Sequence, residues 1–244
     1  MEFNENPYNE KKMIRILFIL FVFLSCCGKN TTTFGPANEH SQRIPDSIAD
    51  KKLLSLYFDA KNNHHVTTLN SALALADSMA CAYKENDKIY MKYMLQKIQF
   101  LVLYNDTNSA IDVIEGDSCN MWETIGGPYY KKILEHRILA MSAKIKNDQQ
   151  LYEANIMEAL KLVEKYISDN KEEYVLFLRN DLQHQRGKYI ITTQEYIYYS
   201  YLLYGKDRSN KILEEYQDLY HIPENAIEQL KLLYHMDIMD FYPW

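Results

Sequence analysis

Residues 136–166 read HRILAMSAKIKNDQQLYEANIMEALKLVEKY, and this stretch decides the fold. In its second half Ile156, Ala159, Leu160 and Val163, continued by Ile167, step by three and four residues. That spacing stacks the side chains on one face of an α-helix, which buries them as a single apolar stripe. Asn147-Asp148 interrupts the pattern with residue types that suit a turn and a helix N-cap. The reading is two helices folded back on each other across a short polar turn.

The same pattern continues outward. Leu53, Leu56, Tyr57 and Ala60 form one stripe, and Leu69, Leu73, Ala76 and Met79 form another. Residues 88–104 are apolar nearly all round, with one polar stripe at Lys88, Lys92, Gln96 and Gln99, so this helix is expected to be buried on most sides. Turn and capping residues recur at helix-length intervals: Asn62-Asn63, Asn86-Asp87, Asn105-Asp106, Gly116-Asp117, Gly126-Gly127-Pro128, Asp169-Asn170, Gly187, Gly205 and Pro223. Tyr189-Ile190-Ile191 is the one β-like fragment, and it is too short to make a strand. With only 7 Gly and 6 Pro in 244 residues, the chain lacks the turn residues a sheet-rich protein needs. At 47% apolar and 25% charged residues it is expected to fold rather than stay disordered. The fold class is therefore all-α, built from antiparallel helical hairpins stacked as an α-solenoid.

The segment from His136 to Tyr166 resembles a tetratricopeptide repeat. Leu139, Ala140 and Ala143 match the large-small pair and inner residue of its first helix, and Tyr152, Ile156 and Ala159 match its second. A similar segment runs from Met94 through Ile98 and Leu101 to Ala110 and Ile114, and a weaker one from Leu53 to Ala76. Gly187-Lys188-Tyr189 resembles the Gly-Asp-Tyr turn of that family. The offsets from Leu53 to Met94 and from Met94 to His136 are 41 and 42 residues, against about 34 in the family. The family's Trp and closing Pro are missing, and residues 116–128 read as an inserted loop. Beyond the repeats, Leu213-Glu214-Glu215-Tyr216 and Ile227-Glu228-Gln229-Leu230 resemble the helix that follows the repeats in tetratricopeptide sensor proteins of Bacteroidota. The resulting division is a helical array over residues 48–205 and capping helices over 206–244.

The N-terminal segment speaks to location. Lys11, Lys12 and Arg15 lead into the apolar run from Ile14 to Leu24, and Leu24-Ser25-Cys26-Cys27-Gly28 follows. The run is too short to span a bilayer but fits the core of a secretion signal. With the boxed cysteine after it, the segment resembles the signal of bacterial lipoproteins. That resemblance implies cleavage after residue 26 and lipidation of Cys27, with Cys26 as the alternative, and Met13 is a second candidate start. Residues 27–47, rich in Thr, Asn and Ser, read as a flexible tether. The position next to Cys27 is Gly28 and not Asp, and no acidic run follows, so the resemblance implies an outer-membrane anchor with the domain facing the periplasm.

The remaining residues exclude more than they suggest. Net charge is −6, with no basic stripe, so no nucleic-acid partner is expected. The 7 glycines form no phosphate-binding loop. The histidines form no HExxH, and His64-His65 reads as a surface pair in an inter-helix turn. Cys81 and Cys119 suit buried free thiols or, in an oxidising compartment, a disulfide. No catalytic residue, metal site or cofactor is expected. Two features suggest binding: the stripe Lys92, Gln96, Gln99, and the Tyr-rich helix with Tyr196, Tyr199 and Tyr201. Each also suits a plainer role, the stripe as a solvated face and the tyrosines as packing between helices. The expected function is a non-enzymatic scaffold holding a protein or peptide partner in a groove; the alternative is a sensory module binding a small ligand or a signalling partner.

Overall fold

The structure is a computed structural model that describes residues 45–116, 121–184 and 188–241. Cys26, Cys27, Cys119, Gly187 and the tether up to residue 44 lie outside the described residues.

The fold is all-α. Helix α1 spans Asp46–Asn63, α2 Val66–Ala82, α3 Asp87–Leu103, α4 Thr107–Glu115 and α5 Met121–Gly126. They are followed by α6 (Tyr130–Ile145), α7 (Gln149–Asp169), α8 (Lys171–His184), α9 (Lys188–Tyr220, two helical segments that meet at the non-helical Gly205) and α10 (Glu224–Lys231), then by 3-10 turns at Leu232–His235 and Ile238–Asp240. Tyr189-Ile190-Ile191 lies inside α9. Helix α1 starts at Asp46, inside the stretch read as tether.

The turns show why the chain reverses where it does. At Asn105-Asp106 and at Asn147-Asp148 the Asn takes a left-handed conformation, with φ of 62° and 56°. The Asp amide then bonds back across the helix end, Asp106 to Leu101 O at 2.9 Å and Asp148 to Ala143 O at 2.9 Å. Each Asp side chain caps the next helix, accepting from Ser109 N at 3.2 Å and from Leu151 N at 3.0 Å. One helix's loose carbonyls and the next helix's loose amides are thus satisfied in two residues. His64, with φ 52°, holds the matching position between α1 and α2.

Sequential helices pack in pairs: α1 on α2, α2 on α3, α3 on α4, α6 on α7. A second set of contacts joins α1 to α3 and α3 to α6. Ala140, Ala143 and Ala159 are fully buried, so the α6 and α7 backbones approach closely. Ile156 and Leu160 are buried beside them, and side chains of that size stabilise by about 1.5–3 kcal/mol each. Many of the tyrosines of the described residues find their explanation in this packing. Tyr93, Tyr130, Tyr166, Tyr174, Tyr198 and Tyr199 are among the largest fully buried side chains. The stretch read as an inserted loop carries α5, whose Trp122 is fully buried. Gly127 follows it at φ 89°, where an added Cβ would lie 2.6 Å from the Tyr166 ring.

Candidate functional site

After Leu232–His235 the chain leaves helical conformation. Met236 and Asp237 are extended, Ile238–Asp240 make one 3-10 turn, and Phe241 is extended again. This segment lies across α1, α3, α6 and α9, and each of those helices contributes a donor to it. From α9, the Tyr198 hydroxyl donates to Met236 O at 3.1 Å. From α6, Lys144 Nζ donates to Asp237 Oδ2 at 2.8 Å. From α3, Gln99 Nε2 donates to Met239 O at 2.6 Å. From α1, the Tyr57 hydroxyl and Lys61 Nζ donate to Asp240, the lysine at 3.3 Å. In all of these bonds the helices donate and the segment accepts. Ile238, Met239 and Phe241 are buried beneath. The Phe241 ring stands 4.1 Å from the Tyr198 ring and edge-on to Tyr199 at 6.1 Å.

Beneath Phe241 lies a buried charge pair. Arg137 and Glu195 are 4% and 1% exposed, and Arg137 Nη1 sits 3.7 Å from Glu195 Oε1. The Arg137 guanidinium faces the Phe241 ring at 5.5 Å, a cation–π arrangement. Tyr199 donates to Glu195 at 3.3 Å. Burial pushes the Glu195 carboxyl up to about 7, and Arg137 and Tyr199 offset only part of that. Nη1 of Arg137 has no hydrogen-bond partner among the described residues. Beside it is a cavity of about 10 Å³, the size of one water molecule, lined by Gln99, Arg137, Met239 and Phe241 among others. At the rim, burial opposes ionisation of Asp237, but Lys144, the Met239 amide and Lys61 outweigh it and hold the carboxyl below its usual range.

Of the polar stripe read from the sequence, Gln99 reaches the segment. Lys92 pairs with two carboxylates of α1, Asp50 at 2.7 Å and Asp46 at 2.9 Å. Tyr93 donates to the same Asp46. Gln96 is half-buried, and its Oε1 has no hydrogen-bond partner among the described residues. The tyrosines do not form one aromatic wall. Tyr196 packs on Tyr216 at 5.5 Å within α9, and Tyr201 stacks on Tyr234 at 4.7 Å. Tyr199 is fully buried against Glu195 and Phe241. Tyr199 and Tyr201, two residues apart, point to different faces of the helix, while Tyr196, on the same face as Tyr199, meets a different neighbour one turn along. Cys81 is exposed, contrary to the expectation of a buried thiol.

Lys61, Arg137, Lys144 and Glu195 escape the sequence reading, which takes Tyr57 only as part of an apolar stripe and Tyr198 only as part of the Tyr-rich helix. A signal existed for the charge pair. Arg137 falls between Ile133 and Met141, and Glu195 between Ile191 and Tyr199, each four residues away along an apolar stripe. A charge in such a position is buried, and a buried charge requires a partner.

Among the described residues no group of three or more His, Cys, Asp or Glu is placed to hold a metal ion, and no helix is long and apolar enough to cross a membrane. The chain matches no protein-family model, no curated protein and no solved structure.

Proposed function

We propose that this protein is a non-enzymatic, lipid-anchored scaffold of the cell envelope that holds an extended stretch of a protein partner. In this reading the stacked hairpins form a tetratricopeptide-like α-solenoid. The seat is the face shared by α1, α3, α6 and α9. A lipid on Cys27, or alternatively Cys26, tethers the domain to the outer membrane on its periplasmic side. The observation that carries the proposal is that this face already grips a segment that is extended at both ends, by its carbonyls and carboxylates. A stack of helices suits that task because it offers a long donor-lined surface without any catalytic group.

The test has two arms. Cys27→Ser should abolish radiolabelled-palmitate incorporation, and label that survives it but is lost with Cys26→Ser would move the anchor. A photo-cross-linking residue at Lys61, on the rim of the seat, should give a discrete adduct in membranes of the native cell. The same residue at Lys161, on the exposed side of α7, should give none. Equal adducts from both positions, or none from either, would contradict the scaffold reading.

A further inference from the structure

We infer that Met236–Phe241 is a resident self-ligand of this seat. The partner is then an extended acidic peptide of the pattern Asp-x-x-Asp-aromatic, which binds by displacing the segment. The inference rests on the scaffold reading above and specifies the chemistry of its partner.

The first ground is the one-way polarity of the contact. Lys61, Lys144, Gln99, Tyr57 and Tyr198 all donate, and Asp240, Asp237, Met239 O and Met236 O all accept. A seat furnished with donors and cations selects a segment that brings carboxylates and free carbonyls. A helical segment would not serve, because its own ladder consumes the carbonyls. The spacing is fixed as well. Lys144 and Lys61 take carboxylates three positions apart, and the next position sets an aromatic ring beside Tyr198 and over Arg137.

The second ground is that the segment lies on the helix stack with little structure of its own. Its internal bonds are those of one capped 3-10 turn: Asp240 N to Asp237 O at 2.8 Å, Phe241 N to Ile238 O at 3.4 Å, and Met239 N to Asp237 Oδ1 at 2.9 Å. Its charged ends remain reachable, since Lys61, Lys144 and Asp237 are about 40% exposed at their side chains. Ion pairs this exposed contribute little and are readily exchanged. A competitor can therefore engage the two lysines first and replace the buried Phe241 last. Because the segment is joined to its seat, it acts at a high effective concentration, and a free peptide meets the intact chain with reduced apparent affinity.

The experiment uses the full chain and a fluorescent hexapeptide of residues 236–241, MDIMDF. Asp240→Lys with Phe241→Ala should disable the resident segment. This variant should bind the hexapeptide at least tenfold more tightly than the unmodified chain. It should also prefer it at least tenfold over the peptide carrying Asp237→Lys and Asp240→Lys. Equal binding of both peptides would leave the scaffold reading standing and overturn the acidic chemistry. A folded variant that binds neither would overturn both. A second measurement needs no variant: chymotryptic cleavage after Phe241 of the unmodified chain should accelerate severalfold with excess native hexapeptide and not with the reversed one. Cleavage unaffected by the native peptide would overturn displacement.

Discussion

Glu195 and Lys92 illustrate opposite outcomes for a charged residue in a helical stack. Glu195 is buried with Arg137, and its carboxyl is pushed from the ordinary range to about 7. An acid whose folded pKa is raised stabilises the fold fully below its unfolded value and loses that contribution as pH climbs through the folded value. The unmodified chain should therefore lose stability, on the order of a few kcal/mol, between about pH 4.5 and pH 7. Glu195→Gln should flatten that slope in urea titrations across the same window, and an unchanged slope would mean that Glu195 does not titrate there. Lys92 bridges two aspartates of α1. Lys92→Glu would set three carboxylates together and should cost about 1–3 kcal/mol, where a free surface lysine would cost less than about 0.5 kcal/mol. Urea unfolding at pH 7 distinguishes these.

Helices and turns were the most legible elements, because their determinants are local. The Asn-Asp turns at 105–106 and 147–148 hold all their bonds within a few residues, so the residue types alone point to them. The apolar stripe from Ile156 to Val163 was legible for the same reason. Ala159 on that stripe is fully buried. Ala159→Asp should destabilise the chain by about 3 kcal/mol or more, since it sets an unpaired charge at a close helix contact. Native-like thermal unfolding of that variant would contradict the α6–α7 packing. Gly205 interrupts α9 at φ 79° and ψ −177°, a conformation essentially confined to glycine. A Cβ there would meet no atom within 4 Å, so the cost of Gly205→Ala is backbone strain alone, about 1–3 kcal/mol by thermal unfolding.

At the scale of the whole molecule the seat was not legible, because it is made by contacts distant in sequence. Tyr57 and Asp240 are 183 residues apart, and Gln99 and Met239 are 140 apart. Periodicity assigns a residue to a helix face, but it does not say which neighbour covers that face. Gln99 was singled out for its polar stripe, yet only the stacking of α1, α3, α6 and α9 reveals that it holds a backbone carbonyl. The central claim is that this stack is one body and Met236–Phe241 an occupant of its face. Native-state hydrogen exchange of the full chain tests it most directly. The account predicts that the amides of 236–241 exchange through a local opening while α6 and α7 stay protected, and that excess MDIMDF peptide increases the opening. Exchange of the segment only together with α6 and α7, by global unfolding, would make it an integral part of the core and contradict the account.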